Sequence, residues 1–97
     1  MPYTISVEKQ IRDYLDSLGM EHRRDVKLAL RELRNSRGDI IALGDQLDGF
    51  YRLRFGPFRI LFRYRPGKLI DCIYINRRAL AYEVFEREIV DKLREGR

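Results

Sequence analysis

The 97-residue sequence holds a single cysteine, Cys72, and a single histidine, His22. One thiol excludes an internal disulfide and any cysteine-based metal site. Its place in the apolar run Leu69–Ile75 makes it a buried packing residue. The histidine stands between Glu21 and Arg23 at the start of a helical pattern, and nothing places it near the arginine-rich third of the chain. It reads as an exposed surface side chain rather than a general base. No apolar stretch approaches the roughly 20 residues that cross a bilayer. Met1–Val7 lacks the basic start and apolar run of a signal peptide, so the expected setting is the cytoplasm, away from membranes. Repeats, low-complexity tracts and linkers are missing, and the length suits one domain over residues 1–97. A Gly-rich phosphate loop, a metal-ligand cluster and a Ser-His-Asp set are missing too, so no metal and no cofactor are expected.

Acidic residues are scarce in one place. Between Tyr51 and Arg78 there are eight basic residues and one acid, Asp71, for a net +7. The remainder has twelve basic and fourteen acidic residues, a net −2. The whole excess of positive charge therefore lies in one contiguous third of the chain. That is the footprint of a polyanion or of an acidic protein partner. A solvated sheet face would look the same from composition, and both readings stand at this point.

What is present is a clear change of period. Tyr3–Val7 alternates and can form a short first strand. Glu8–Leu18 places Ile11, Leu15 and Leu18 at helical spacing, and Gly19 stops it. Glu21–Asn35 is a second helix with Val26, Ala29, Leu30 and Leu33 on its inner stripe. Asp39–Gly49 reads as a connecting loop tied down by Ile40, Ile41 and Leu43. From Phe50 the period is two: Tyr51, Leu53 and Phe55 share a face, and after the Gly56–Pro57 reversal so do Phe58, Ile60, Phe62 and Tyr64. Pro66–Gly67 suits a type II turn, which favours a loop longer than two residues. Leu69–Asn76 is a third strand, apolar on both faces and so central or covered. Leu80–Arg94 is a last helix with Ala81, Phe85, Ile89 and Leu93 in line. The expected fold is α+β. An N-terminal helical hairpin packs on a small antiparallel sheet, a three-stranded meander with a short N-terminal strand as a possible addition, and a C-terminal helix follows. The helices are expected on one sheet face.

A reversal centred on Gly56–Pro57 pairs Phe55 with Phe58, Leu53 with Ile60 and Tyr51 with Phe62. On the other face it sets Arg54 opposite Arg59, and Arg52 opposite Leu61. Like charges directly opposite, about 5 Å apart, are destabilising. An anion bridging the two guanidinium groups would remove that cost, and the planar fork of arginine suits two phosphate oxygens. The alternative is that the arginines splay into water or pair with acids such as Glu83 or Glu86.

The stretch Gln46-Leu47-Asp48-Gly49-Phe50-Tyr51-Arg52-Leu53-Arg54-Phe55-Gly56-Pro57-Phe58-Arg59-Ile60-Leu61-Phe62 resembles the centre of the RelE/ParE toxin superfamily. The shared pattern is Leu-x-Gly, an aromatic with Arg-x-Arg, a Gly turn, an aromatic-Arg and an aliphatic–aromatic run. The resemblance, over roughly residues 3–85, implies a toxin of a type II toxin–antitoxin system, silenced by a cognate antitoxin. From charge, an acidic or amphipathic antitoxin segment is expected over the sheet or the helical hairpin. RelE-type members cleave messenger RNA in the ribosomal A site and so inhibit translation. ParE-type members inhibit DNA gyrase. An inactive homologue that keeps only antitoxin binding is the third possibility.

For the RelE type, the resemblance matches the basic sheet positions to Arg52, Arg54 and Arg59. It matches a later arginine to Arg77 or Arg78, and a C-terminal tyrosine to Tyr82 or else to the position of Phe85. Metal-free RNA cleavage needs a base for the 2′-hydroxyl, cations for the phosphorane and an acid for the leaving 5′-oxygen. The expected catalytic set is Arg54, Arg59, Arg78 and Tyr82, with Arg52, Arg54, Arg63 and Arg77 binding RNA. Arg52 and Arg54 stand where studied RelE types carry lysines, and arginine is a poor general base because it stays protonated. Tyr82 could accept the proton if guanidinium groups lowered its pKa. It could equally be a helix core residue.

Overall fold

The computed structural model describes residues 2–77, the backbone of 82–95 and the side chains of 86–94. Strand β1 (Thr4–Val7) leads into helices α1 (Lys9–Ser17) and α2 (Met20–Leu33). Strand β2 (Asp39–Ala42) and a short 3-10 turn, Asp45–Leu47, follow. Strands β3 (Tyr51–Phe55), β4 (Phe58–Arg65) and β5 (Leu69–Arg77) form the meander, and helix α3 (Tyr82–Glu95) closes the order. The five strands make one sheet in the order β1-β5-β4-β3-β2.

Local chemistry explains the helical hairpin. Gly19 is the N-cap of α2, and only Leu18 lies between it and the end of α1. The last carbonyls of a helix lack intrahelical partners. Here Arg23 donates Nε to the Leu15 carbonyl at 3.2 Å and Nη2 to that of Leu18 at 3.1 Å. One side chain of α2 thus closes the end of α1. Ser36, at φ 55°, turns the chain out of α2, and its N–H donates to the Leu33 carbonyl at 2.8 Å.

The β3–β4 pairing follows the Gly56–Pro57 reversal as expected: Tyr51 faces Phe62, Leu53 faces Ile60, and Arg54 faces Arg59. Gly56 has φ 49°. A positive φ ahead of proline matches the primed turns that suit two-residue hairpins. The Pro66 turn is longer, running through Lys68 at φ 59°.

Four features differ from the sequence expectation. The possible first strand is present as β1, but it pairs with β5 in parallel, so the sheet is mixed rather than antiparallel. The Asp39–Gly49 segment is not all loop, because Asp39–Ala42 pairs with β3 as an edge strand. The meander is therefore the middle of a five-stranded sheet, not the whole of it. The helices also take both faces. α1 and α2 bury Ile11, Val26 and Leu33 against Leu53, Phe58, Ile60, Phe62, Ile70, Cys72 and Ile75. On the other face Ile89 of α3 joins Leu47, Leu61 and Ile73.

The alternation of β5 allows both faces to be apolar because of one bulge. Leu61 faces Tyr74, yet Phe62 faces Cys72, leaving Ile73 as an extra residue. Ile73 and Tyr74 consequently both pack against the second core, while Cys72 and Ile75 point to the first. Bulges re-aim side chains in this way and recur beside functional sites. The Cys72 thiol is fully buried as expected, and burial, with Asp71 adding to it, pushes its pKa up from 9.0 to about 12. No helix of the described residues is long and apolar enough to cross a membrane.

Candidate nucleic-acid interface

Strand register lines up the polar residues of the second face in rows. One row crosses four strands: Asp39 faces Arg54, Arg54 faces Arg59, and Arg59 faces Asn76. The next row is Ile41, Arg52, Leu61 and Tyr74. Arg52, Arg54 and Arg59 are therefore brought onto one surface, as expected.

Their environments differ. Arg52 is 6% exposed and Arg59 5% exposed, whereas the Arg54 side chain is 47% exposed. A buried guanidinium needs a counter-charge. For Arg52 it is the Asp39 carboxylate, with Oδ1 at 3.5 Å from Nη2. The other carboxylate oxygen accepts a hydrogen bond from Arg54 Nε at 3.1 Å. Arg54, which faces Arg59 across the register, is thus paired on the β2 side with an acid of the chain itself. Asp39 was hidden inside the segment read as a loop. The signal for it was the β-branched pair Ile40–Ile41, which, laid antiparallel on β3, carries Asp39 to Arg54.

At the other end of the rows stands a polar cluster that the sequence reading did not single out. The Tyr74 hydroxyl donates a short hydrogen bond to the Glu88 carboxylate of α3. Asn76 Nδ2 lies 3.2 Å from both the Tyr74 oxygen and Glu88 Oε2. Asn76 Oδ1 in turn accepts the Arg77 N–H at 2.8 Å. Burial, then the hydrogen bond and charge of Glu88, push the Tyr74 pKa up from 10.0 to about 12. Tyr74 was findable: on a strand it shares a face with Asn76, opposite the arginine hairpin.

The remaining expected residues are scattered. Arg63 lies on the same face, four residues from Arg59 and so about 13 Å along the strand. It pairs with Asp71 at 3.5 Å and lies 5.4 Å from the Phe50 ring centre. There it borders a cleft of about 740 Å³ that also carries Lys92 and Arg94. Arg77 faces Phe58, on the helical-hairpin side, and its guanidinium sits 5.3 Å from that ring centre. It is not brought to Arg59. Arg78 lies outside the described residues, as do the side chains of Tyr82 and Phe85. His22 is not the exposed residue expected. It is half-buried, edge-on to Phe58 at 5.3 Å, on the face opposite the arginines. Among the described residues no group of three or more His, Cys, Asp or Glu side chains could hold a metal ion.

A five-stranded sheet with this order, a helical hairpin on one face and an arginine hairpin on the other can be compared with solved structures. The archaeal RelE–RelB complex of Pyrococcus horikoshii contains a chain with a TM-score of 0.68 and 26% identity, covering 84% of this chain and all of that one. The fold is that of the RelE-like toxins. A chain of the RelBE2 toxin–antitoxin complex of Mycobacterium tuberculosis superposes with a TM-score of 0.70 at 23% identity, covering 80% of this chain and all of that one. A mutant of the Escherichia coli toxin RelE, in the free state, gives 0.66 at 19% identity, with 89% and 93% covered. No family model matches the sequence, and no curated protein does. The RelE-like assignment therefore rests on topology, on the arginine hairpin and on these structures.

Proposed function

We propose that this RelE-like chain is the toxin of a type II toxin–antitoxin pair and that it cleaves messenger RNA in the ribosomal A site. The observation that carries this reading is the row Arg54–Arg59–Asn76, with Arg52 beside it, on one sheet face. Guanidinium groups held rigidly by a sheet are the cations that a phosphorane transition state needs, preorganised where charge develops. Arg59, internal to the sheet and buried, is the residue assigned to the phosphate, and Arg54 and Arg52 guide the RNA backbone. Arg78 and Tyr82 are retained as candidates for the same site on the resemblance alone. The reaction joins the 2′-oxygen to phosphorus and releases the 5′-oxygen, with no step assigned to a metal.

The partner is a cognate antitoxin, as the complexes of the structural neighbours suggest. The reading places the protein in the cytoplasm, where ribosomes are. Primer extension on cellular transcripts after brief induction tests the nuclease. Codon-phased cuts that vanish with Arg59→Ala are expected. Intact transcripts together with DNA-damage signalling would replace this reading with gyrase inhibition, and intact transcripts without it with an inactive homologue.

A further inference from the structure

Metal-free cleavage of RNA needs a proton acceptor and a proton donor besides cations. Arg52, Arg54 and Arg59 can be neither, because guanidinium groups stay protonated. The same face nevertheless carries two exchangeable groups in contact with each other, at the end of the arginine rows. Asn76 faces Arg59 directly, and Tyr74 lies two residues further along the same face, about 7 Å away. Tyr74 is half-buried, and its hydroxyl donates to Glu88, also half-buried, from the helix across the sheet. Asn76 holds both by its amide, at 3.2 Å from each oxygen.

We propose that Tyr74 and Glu88 are the acid–base pair of the arginine face, with Asn76 as the residue that positions them. The inference rests on the ribonuclease reading. In the forward step the Glu88 carboxylate takes the 2′-hydroxyl proton while the 2′-oxygen attacks phosphorus. The P–O5′ bond breaks, and the Tyr74 hydroxyl gives its proton to the departing 5′-oxygen. The products are a 2′,3′-cyclic phosphate and a 5′-hydroxyl. Tyr74, left as phenolate, then recovers a proton from the Glu88 carboxylic acid through their hydrogen bond. The pair returns to its starting state with no proton gained or lost. A phenol whose pKa is pushed up to about 12 is protonated at neutral pH, as a donor must be. This assigns the tyrosine chemistry to strand β5.

The test uses ribosomes programmed with a synthetic messenger, in ordinary form and with one 5′-bridging sulfur at the A-site codon. A thiolate leaves without help from an acid. Tyr74→Phe is expected to slow cleavage of the ordinary messenger by roughly 100-fold or more in kcat, and to cleave the sulfur messenger within about tenfold of wild type. Glu88→Gln is expected to be slow on both, because it has lost the acceptor. A Tyr74→Phe protein that unfolds at the wild-type denaturant midpoint and is equally slow on both messengers overturns the donor role. Wild-type rates for Tyr74→Phe and Glu88→Gln, with Arg59→Ala inactive, overturn the pair and leave the ribonuclease reading intact. A wild-type protein that cuts neither messenger overturns both.

Discussion

Replacing Asp39 with asparagine should lower stability and raise affinity for RNA at once. The carboxylate sits between two guanidinium groups, at 3.5 Å from Arg52 and 3.1 Å from Arg54. The Arg54 contact is half-exposed on both sides, and such pairs contribute about 0–1 kcal/mol. The Arg52 contact is different, since the arginine side chain is 7% exposed while Asp39 is 50% exposed. Removing the partner of a fully buried charge costs about 3–5 kcal/mol. With one partner half in water, and asparagine still offering an oxygen, a total near 2 kcal/mol is expected. For a domain of this size that lowers Tm by about 10 °C. The gain appears in binding. Each arginine released to a phosphate should steepen the dependence of log affinity on log salt by about 0.7 for a single strand. Urea unfolding and binding titrations on a short RNA at several salt concentrations measure the two effects. A variant as stable as wild type would mean Asp39 does not hold Arg52. A destabilised variant with an unchanged salt slope would mean that Arg52 and Arg54 do not meet RNA phosphates.

Other consequences are simpler. Gly38, at φ +129°, leaves a Cβ only 2.6 Å from Leu53 Cδ1, so Gly38→Ala should cost about 2 kcal/mol in denaturant unfolding and loosen the β2 edge. The Cys72 pKa is raised in the folded state, so its contribution to stability is complete below about pH 9 and is lost as pH rises from 9 towards 12. Unfolding measured over that range should fall by about 1.4 kcal/mol per pH unit from this group, and Cys72→Ala should flatten the slope. Ile89 is the fully buried anchor of α3 on the arginine face. Ile89→Ala should cost about 2–5 kcal/mol and raise hydrogen exchange in α3 before it does so in α1 and α2.

The β3–β4 register could be read from the sequence because a two-residue reversal fixes it and alternation then sorts every side chain to a face. Tyr51 to Phe62 and Arg54 to Arg59 follow from Gly56–Pro57 alone. β2 could not be read the same way. Four residues at a sheet edge, Asp39 to Ala42, form a strand only because β3 offers hydrogen bonds, and that is a tertiary fact. The bulge at Ile73 is equally silent, since an apolar run looks the same with or without an extra residue. Each omission hid a polar partner: Asp39 in the first case, and in the second the turn of Tyr74 towards Glu88.

The charge count was correct and still misleading for the same reason. The segment Tyr51–Arg78 carries +7, which suggests a uniformly positive surface. In the fold Arg52 and Arg54 share Asp39, Arg63 pairs with Asp71, and Arg77 lies over Phe58 on the opposite face. Two of those three pairings face the proposed RNA side. An incoming phosphate would have to compete with a carboxylate for every arginine so paired. At a distance the paired arginines add little, because an ion pair cancels charge beyond its own dimensions, and the long-range attraction comes from the excess of basic over acidic residues in Tyr51–Arg78. On the proposed reading, RNA that reaches Arg52 and Arg54 would have to displace Asp39, and several phosphates along one strand would do so more readily than a single one.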